Sequence, residues 1–247
     1  MKSNQIVNIL LNVIFVVVQI TSSKELPSWI NKCRADDENI GKCIQQNVEV
    51  VQTRLLNGVP ELRLPSFNPL EIQEATIQNP GDFKGRFTDI KIYYADEFLM
   101  PFLKVNLPSN HVELKLKFPR MRINSTYHFS GKVLGLNIVG EGPSDGNFTN
   151  IEGTFVLNGT RIKKNGQEYI KFNDLDMDLD IGKPKFEFVD LFKNNKELTD
   201  RTNEVVNENI ESIIEELHPV LNEIIKNVVL SLISGVFDKY SFNELFS

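Results

Sequence analysis

The sequence predicts an α+β protein in which a strongly curved antiparallel sheet wraps a long C-terminal helix and encloses an apolar space. Two patterns lead to this prediction. Apolar residues alternate with period two from about residue 71 to residue 182, and they recur at helical spacing from residue 202 to residue 237. A sheet with one apolar face and a helix of this length bury their apolar surfaces best when the sheet curls around the helix.

The first 23 residues predict a secretory signal peptide. Lys2 precedes an apolar run over residues 6–20, and small polar residues follow up to Ser23. A membrane anchor is the alternative, but a spanning helix needs about 20 mainly apolar residues and this run is shorter. We therefore expect cleavage near Ser23, a secreted extracellular protein, and a single domain over residues 24–247.

Two cysteines, Cys33 and Cys43, lie close together after this segment, and the sequence has no others. In an oxidising compartment the default is a disulfide between them, which would contribute a little under ~3 kcal/mol and pin the N-terminal segment. A metal site is the alternative, although the usual four ligands are not supplied nearby. An amphipathic helix is predicted from Ile40 to Leu55, ended by Gly58.

The next stretch, NGVPELRLPSFNPLEI at residues 57–72, combines three prolines with many apolar side chains. Proline favours extended or turn conformations, so neither a helix nor a regular strand is expected here. Leu62, Leu64 and Phe67 would then cover one end of the enclosed space. We predict that the segment forms a wall or plug at that end, and that these three side chains contact a ligand.

Residues 111–118, HVELKLKF, show the sheet pattern most clearly, because every second residue is apolar. The motif KKNGQ predicts a hairpin turn between two later strands. The glycine-rich stretch GEGPSDG, at residues 140–146, is interpreted as a turn. The run DLDMDLD resembles a calcium loop, but Ile181 stands where an EF-hand requires glycine, so we interpret the aspartates as the solvated face of a strand.

The final helix is predicted from Thr202 to about Phe237, with a bend at Pro219. Up to Lys226 the residues divide into an apolar stripe and an acidic one, whereas beyond Asn227 apolar residues point in every direction around the axis. Such a segment must be enclosed on all sides. About ten residues are too few to span a bilayer, so we expect the enclosure to be protein.

The chain is acidic, with 27 Lys and Arg against 33 Asp and Glu and a net charge of −6. This balance disfavours nucleic acid and anionic lipid surfaces, which attract clustered cations. No nucleophile motif, metal motif or paired histidines occur, so we predict no catalytic residue, no metal and no cofactor. Three sequons predict N-glycosylation and agree with export: Asn124, Asn147 and Asn158.

Tyr127 lies on the apolar face of its predicted strand, because Ile123 and Phe129 share its alternation. A phenol on an apolar face needs a hydrogen-bond partner. A backbone carbonyl or a water is one candidate partner, and an oxygen of a bound ligand is the other. Tyr127 and Phe129 are therefore candidate ligand contacts. The final helix adds further candidates: Ile213, Leu217, Leu221, Ile224 and Val228.

Four segments, in order along the chain, resemble the insect takeout and juvenile-hormone-binding protein family. They are LPSWINKC with Cys43 as the second cysteine, GVPELRLPSFNPLEI, YHFSGKVLGLNIVGEG and FVDLFKNNKELTDRTNEVVNENIESIIEEL. The likeness covers essentially the whole mature chain. Hormone-binding members tend to carry a further disulfide, for which this chain has no cysteines, so the chain is placed nearer the takeout branch.

The resemblance implies a curved sheet around a long helix, an internal hydrophobic tunnel, secretion into haemolymph or sensory fluid, and carriage of a small hydrophobic ligand such as a terpenoid hormone. It matches Cys33 and Cys43 to the family's N-terminal disulfide, and Tyr127 to a strand tyrosine that can meet the ligand's polar end. We therefore predict a non-enzymatic carrier that is monomeric and not stably inserted in a membrane, with a receptor or another carrier protein as an additional partner. Two alternatives stay open: a secreted enzyme that acts on lipids, and an interaction protein with a permanently bound structural lipid.

Overall fold

The computed structural model describes residues 25–78, 83–133, 136–193 and 195–247, so the predicted signal peptide lies outside the described residues. Within these ranges the chain forms four α-helices and seven strands. The helices are α1 (Ile40–Gln52), α2 (Lys196–Glu208), α3 (Ile210–Phe237) and the short α4 (Phe242–Leu245). The strands are β1 (Leu70–Gln78), β2 (Lys84–Tyr93), β3 (Leu99–Asn106), β4 (His111–Val133), β5 (Leu136–Lys164), β6 (Gln167–Asp180) and β7 (Lys185–Phe188).

The strands form one antiparallel sheet built around the long hairpin of β4 and β5. Different strands flank the two halves of this hairpin. At one end β3 pairs with β4 and β6 pairs with β5, while at the other end β2 pairs with β4 and β7 pairs with β5. The predicted hairpin turn is confirmed between β5 and β6, where Asn165 and Gly166 have φ angles of 53° and 77°.

α3 lies in the concavity of this sheet. It contacts both β1 and β6, the strands at the two ends of the pairing order β1-β2-β4-β5-β6. One helix can touch both edges only if the sheet curves around it. Within the described residues the two edges do not pair with each other, so the sheet is not closed into a barrel. The predicted fold class, a curved antiparallel sheet wrapped around a C-terminal helix, is confirmed.

In both long strands the alternation of apolar and polar side chains shifts by one residue at the same point. This shift keeps the apolar side chains on the concave face along the whole length of each strand. In β4 the apolar alternation that ends at Phe118 resumes at Met121, and the two residues between them are exposed. In β5 the opposing residues Thr149 and Asn150 are both exposed, and Asn150 has a φ of 55°. Strict alternation through this point would have moved every later apolar side chain to the convex face.

The final helical region is two helices, so the prediction of one continuous helix is wrong. α2 begins at Lys196 rather than Thr202, and the helix is interrupted at Asn209, which has φ −108° and ψ 17°. The Asn209 side-chain amide donates to the Val205 carbonyl at 2.8 Å, a local bond that competes with helix continuation. Pro219 lies inside α3.

The glycine-rich stretch 140–146 is part of β5, so its interpretation as a turn is wrong. A side chain at Gly140 would place its Cβ 2.5 Å from the Leu191 carbonyl oxygen, and one at Gly142 would lie still closer to the Val189 carbonyl oxygen. The glycines are therefore required by the close approach of another segment's backbone to the face of the sheet.

The two ends of the described chain meet beside α1. Cys33 and Cys43 form a disulfide with Cα atoms 5.9 Å apart, which confirms the predicted pairing. The Cys33 carbonyl also accepts a hydrogen bond from the Ser247 N–H at 3.0 Å, and the Ala35 N–H donates to the Ser247 carbonyl at 2.8 Å. The disulfide thus joins α1 to a segment that is itself bonded to the C-terminal residue.

Candidate functional site

The middle of α3 carries an apolar stripe that the protein does not fully bury. The stripe comprises the five helix residues predicted as ligand contacts: Ile213, Leu217, Leu221, Ile224 and Val228. All five are half-buried, and within α3 only Ile210 is fully buried. The prediction that the last part of the helix is enclosed on every side is too strong, because its apolar residues up to Phe237 are also only half-buried.

The sheet presents a second half-buried apolar surface to the concave side. In β4 it includes Phe118, Met121 and Ile123. Residues of opposite orientation, such as Arg120 and Arg122, instead form ion pairs on the convex side. Both apolar surfaces remain partly accessible to solvent. If they packed directly against each other, this accessible area would be buried.

The proline-rich segment packs at the C-terminal end of α3. Its Leu62 packs with Tyr240, and both side chains are fully buried. The Tyr240 hydroxyl donates to the Glu61 carbonyl at 2.9 Å, and Leu64 and Phe67 pack partly buried against the same cluster. The segment is therefore fixed to the end of the helix. Ligand contact by Leu62, Leu64 and Phe67 stays a prediction.

At the other end of the sheet, a core cluster surrounds Tyr127, whose side chain is 0% exposed. Its hydroxyl donates to the Val189 carbonyl at 2.6 Å, and its ring packs edge-on against Phe188, with centroids 5.2 Å apart. Burial, followed by the charges of Asp190 and Glu141, raises the pKa of Tyr127 to about 12. The structure thus gives the phenol a backbone partner, and its contact with a ligand stays a prediction.

Helix α2 holds β7 over this end through two asparagines that the sequence reading did not single out. The Asn207 side chain accepts from the Phe186 N–H at 2.8 Å and donates to the Phe186 carbonyl at 2.7 Å, as a neighbouring strand would. Asn203 makes the same two bonds with Phe188, both at 2.9 Å. Their spacing of one helical turn is the signal that could have revealed them. Phe129, a predicted ligand contact, packs in this region with its ring centroid 5.1 Å from that of Phe188.

The predicted glycosylation sites lie on the two long strands. Asn147 and Asn158 are exposed on β5, whereas Asn124 is half-buried on β4. The Asn147 amide donates to Asp145 at 2.8 Å, and the Asn158 side-chain oxygen lies 2.8 Å from His111 Nδ1. Modification at these positions stays a prediction.

By length and composition alone, α3 could cross a membrane, and it is the helix of this kind in the part of the chain that the structure describes. Its most apolar stretch has a mean hydropathy of 1.6. In this fold it contacts β1 and β6 and carries charged residues at Glu211, Glu215 and Lys226. Across the same part of the chain, no group of three or more His, Cys, Asp or Glu side chains could hold a metal ion.

Comparisons with known proteins agree with this architecture. Residues 10–247 match the sequence profile of the family described as Haemolymph juvenile hormone binding protein (JHBP). The circadian clock-controlled protein daywake of Drosophila melanogaster is 23% identical over 243 residues, which cover 94% of this chain and 92% of the relative. The protein of the same name from Drosophila yakuba is 22% identical over 239 residues, with coverage of 92% and 91%.

The fold is also found in a solved structure. The crystal structure of Takeout 1 from Epiphyas postvittana matches with a TM-score of 0.73 at 20% identity, covering 87% of this chain and 99% of that chain. At this identity the match shows a shared fold. Because the family profile spans nearly the whole sequence, the chain belongs to the haemolymph juvenile hormone binding protein family.

Proposed function

We propose that this protein is a secreted, non-enzymatic carrier that binds a small hydrophobic molecule between the sheet and α3. The observation that carries the proposal is the half-buried apolar stripe from Ile213 to Val228, set in the concavity of a sheet in which Phe118, Met121 and Ile123 of β4 are also half-buried. Apolar surface left in contact with water costs about 25 cal/mol for each Å². A hydrophobic ligand that covers both surfaces removes that cost.

Family membership supports the same function, because the family is named for a protein that binds a hormone in haemolymph. The predicted signal peptide and the Cys33–Cys43 disulfide support an oxidising, extracellular location. Hydrophobic ligands that move through an aqueous body fluid need a soluble protein that shields them from water.

Burial of the ligand is sufficient to give useful affinity. Each CH₂ group moved from water into the interior contributes about 0.8 kcal/mol. About ten such groups approach the ~8 kcal/mol of a micromolar complex before the costs of ordering are subtracted. The stripe from Ile213 to Val228 is about 22 Å long at the helical rise. This length favours an elongated ligand lying parallel to α3.

Native mass spectrometry of the mature protein, before and after organic extraction, would detect a bound molecule. Titration with a fluorescent long-chain alcohol would then measure affinity. Leu217→Asp and Leu221→Asp place a charge in the interior, and each should weaken binding at least about tenfold, because the ligand would leave a desolvated carboxylate beside it. Val205→Asp on α2 is a matched control, since that side chain is 36% exposed.

Circular dichroism must first show that each variant is folded. Weaker binding by the two α3 variants, with normal binding by Val205→Asp, supports the proposal. Absence of binding to the folded, extracted wild type contradicts it. Turnover of a radiolabelled lipid ester would favour the enzyme alternative, and a bound lipid that never exchanges would favour a permanent structural lipid.

A further inference from the structure

We propose that the ligand enters and leaves sideways, through a cleft between the end of β6 and the N-terminal half of α3, rather than through either end of the interior. This inference rests on the proposed binding function. The cleft has a volume of about 380 Å³. Residues 179–182 line one side of it, and Glu211, Ile214, Glu215 and His218 of α3 line the other.

The C-terminal half of α3 is sealed against β6 by apolar packing. Val229, Ile233 and Phe237 pack against the core cluster that contains Phe172 and Leu175 of β6. The rings of Phe237 and Phe172 meet edge to face, with centroids 5.0 Å apart. No route for a ligand is expected along this part of the seam between the helix and the strand.

The N-terminal half presents different chemistry to the same strand. At 3.6 residues per turn, Glu211, Glu215 and His218 lie on the face of the helix that carries Val229 further along. Near the end of β6 they share the cleft with Asp180. Carboxylates that line the same cleft repel each other and keep their water, so this part of the seam is not packed dry as the other part is.

The floor of the cleft is apolar and continues into the interior. Leu179, Ile181 and Ile214 are half-buried there. Ile214 lies one helical turn before Leu217 and two turns before Leu221, so it adjoins the apolar stripe of α3. A hydrophobic molecule that passes the polar rim therefore moves from one apolar contact to the next on its way inward.

An ion pair crosses the rim of the cleft. Lys183, in the turn after β6, lies 2.7 Å from a Glu211 carboxylate oxygen, and their side chains are 80% and 65% exposed. Exposed ion pairs are weak, so separating this pair has a low cost. Opening an end of the interior would instead expose the buried side chain of Tyr127 or Tyr240 and break its hydrogen bond.

The charge of the rim indicates which ligands load fastest. Asp180, Glu211 and Glu215 carry three negative charges at the cleft, and Lys183 neutralises one of them. This field repels fatty-acid anions and has little effect on uncharged amphiphiles such as alcohols and methyl esters. Uncharged elongated lipids should therefore load faster than fatty-acid anions.

A covalent clamp across the rim tests the route. Lys183→Cys and Glu211→Cys would be joined by a short reducible bis-thiosulfonate linker, and stopped-flow fluorescence would follow a fluorescent long-chain alcohol. Loading and release rates should both fall at least about tenfold with an unchanged dissociation constant, because a blocked route slows both directions equally. Reduction of the linker should restore both rates.

The matched control is the same linker between Thr154→Cys and Asp178→Cys, which face each other across β5 and β6 without crossing the seam. This control also reports any effect of the reductant on the native Cys33–Cys43 disulfide. Its loading and release rates should equal those of the wild type.

A second experiment tests the charge selection. Asp180→Asn with Glu215→Gln should speed loading of a fluorescent fatty acid about threefold or more at low ionic strength, and leave loading of the alcohol unchanged. Glu204→Gln, on the exposed side of α2, is the control and should change neither rate.

The outcomes separate the route from the function. If the linked Lys183–Glu211 protein exchanges the alcohol at the wild-type rate, the lateral route is wrong although binding stands. Equal slowing by the Thr154–Asp178 linker also overturns it, because general stiffness would then explain the effect. Failure of the unlinked wild type to bind the alcohol contradicts the proposed function itself.

Discussion

The two halves of α3 differ in what their side chains pack against, although apolar residues of both halves are half-buried. The C-terminal half reaches two core clusters, through Phe237 on one and Val236 on the other. In the N-terminal half, apolar side chains such as Leu217 stay half-buried, and the face toward β6 carries Glu211 and Glu215. One continuous helix thus anchors the fold at one end and lines the proposed binding space at the other.

We therefore expect the C-terminal half of α3 to contribute mainly to stability and the N-terminal half mainly to ligand binding. Side chains that pack against a core cluster contribute to the free energy of unfolding, whereas apolar side chains that line an unfilled space can contribute to affinity for a ligand. Substitutions in the two halves should therefore change different measurements. Of four predictions, given in order of decreasing effect, the first and the last test this contrast, and the other two test the region around Tyr127 and β7.

The largest effect is expected for Phe237→Ala. Removing a ring that packs against Phe172 should lower the free energy of unfolding by about 2–3 kcal/mol. Leu217→Ala, in the other half, should lower it by less than about 1 kcal/mol, because few packed neighbours are lost. Urea denaturation of the ligand-free protein would measure both. Equal losses would show that the two halves are packed alike.

A loss of about 2 kcal/mol is expected for Asn207→Ala, because the N–H and carbonyl of Phe186 would both lose their partner. Thermal unfolding measures the stability, and hydrogen exchange of β7 localises the change. Glu208→Ala, at the next and exposed position, is the control. If the β7 backbone N–H groups stay as protected from hydrogen exchange in Asn207→Ala as in the wild type, β7 is held by side-chain packing rather than by the hydrogen bonds of Asn207.

Tyr127→Phe should lower the free energy of unfolding at pH 7 by about 1 kcal/mol, since the Val189 carbonyl loses its donor. The pKa of Tyr127 is raised from 10.0 to about 12 in the folded protein. Above pH 10 the phenol of the unfolded chain ionises first, so the wild type loses stability as the pH rises toward 12.

Urea denaturation at a series of pH values should therefore show that the difference in unfolding free energy between wild type and Tyr127→Phe decreases from pH 10 upward. A difference independent of pH would contradict the raised pKa of Tyr127 and the burial that causes it. Ligand affinity at pH 7 separates the two roles considered for the phenol. A change of less than about twofold indicates a structural role, and a larger loss indicates direct contact with the ligand.

The smallest effect is expected for Lys183→Met, which removes the ion pair with Glu211. An exposed pair contributes little, so the midpoint of urea unfolding should not shift measurably. Lys196→Met, which removes another exposed pair on α2, is the matched comparison. A clear destabilisation limited to Lys183→Met would show that the seam at the cleft is held closed by this contact, which would weaken the contrast between the two halves.

The sequence by itself determined most of the sheet, the presence of a long C-terminal helix and the N-terminal disulfide, but not the break at Asn209 or the strand through Gly140. Alternation in DLDMDLD correctly indicated a strand with exposed aspartates and a buried Leu175. The pairing of Cys33 with Cys43 followed from an oxidising compartment and the absence of other cysteines. These features are encoded locally, because periodicity shows which face of an element each side chain occupies.

Only the tertiary structure decided the partner of Tyr127, the role of Gly140 and the position of the cleft. The Tyr127 hydroxyl bonds to a carbonyl 62 residues away, and Gly140 is required by the backbone at Leu191. The sequence showed the acidic face of α3, but not that its N-terminal part would lie beside Asp180. Periodicity assigns a side chain to a face, whereas the segment that packs on that face is set by long-range contacts that no local pattern records.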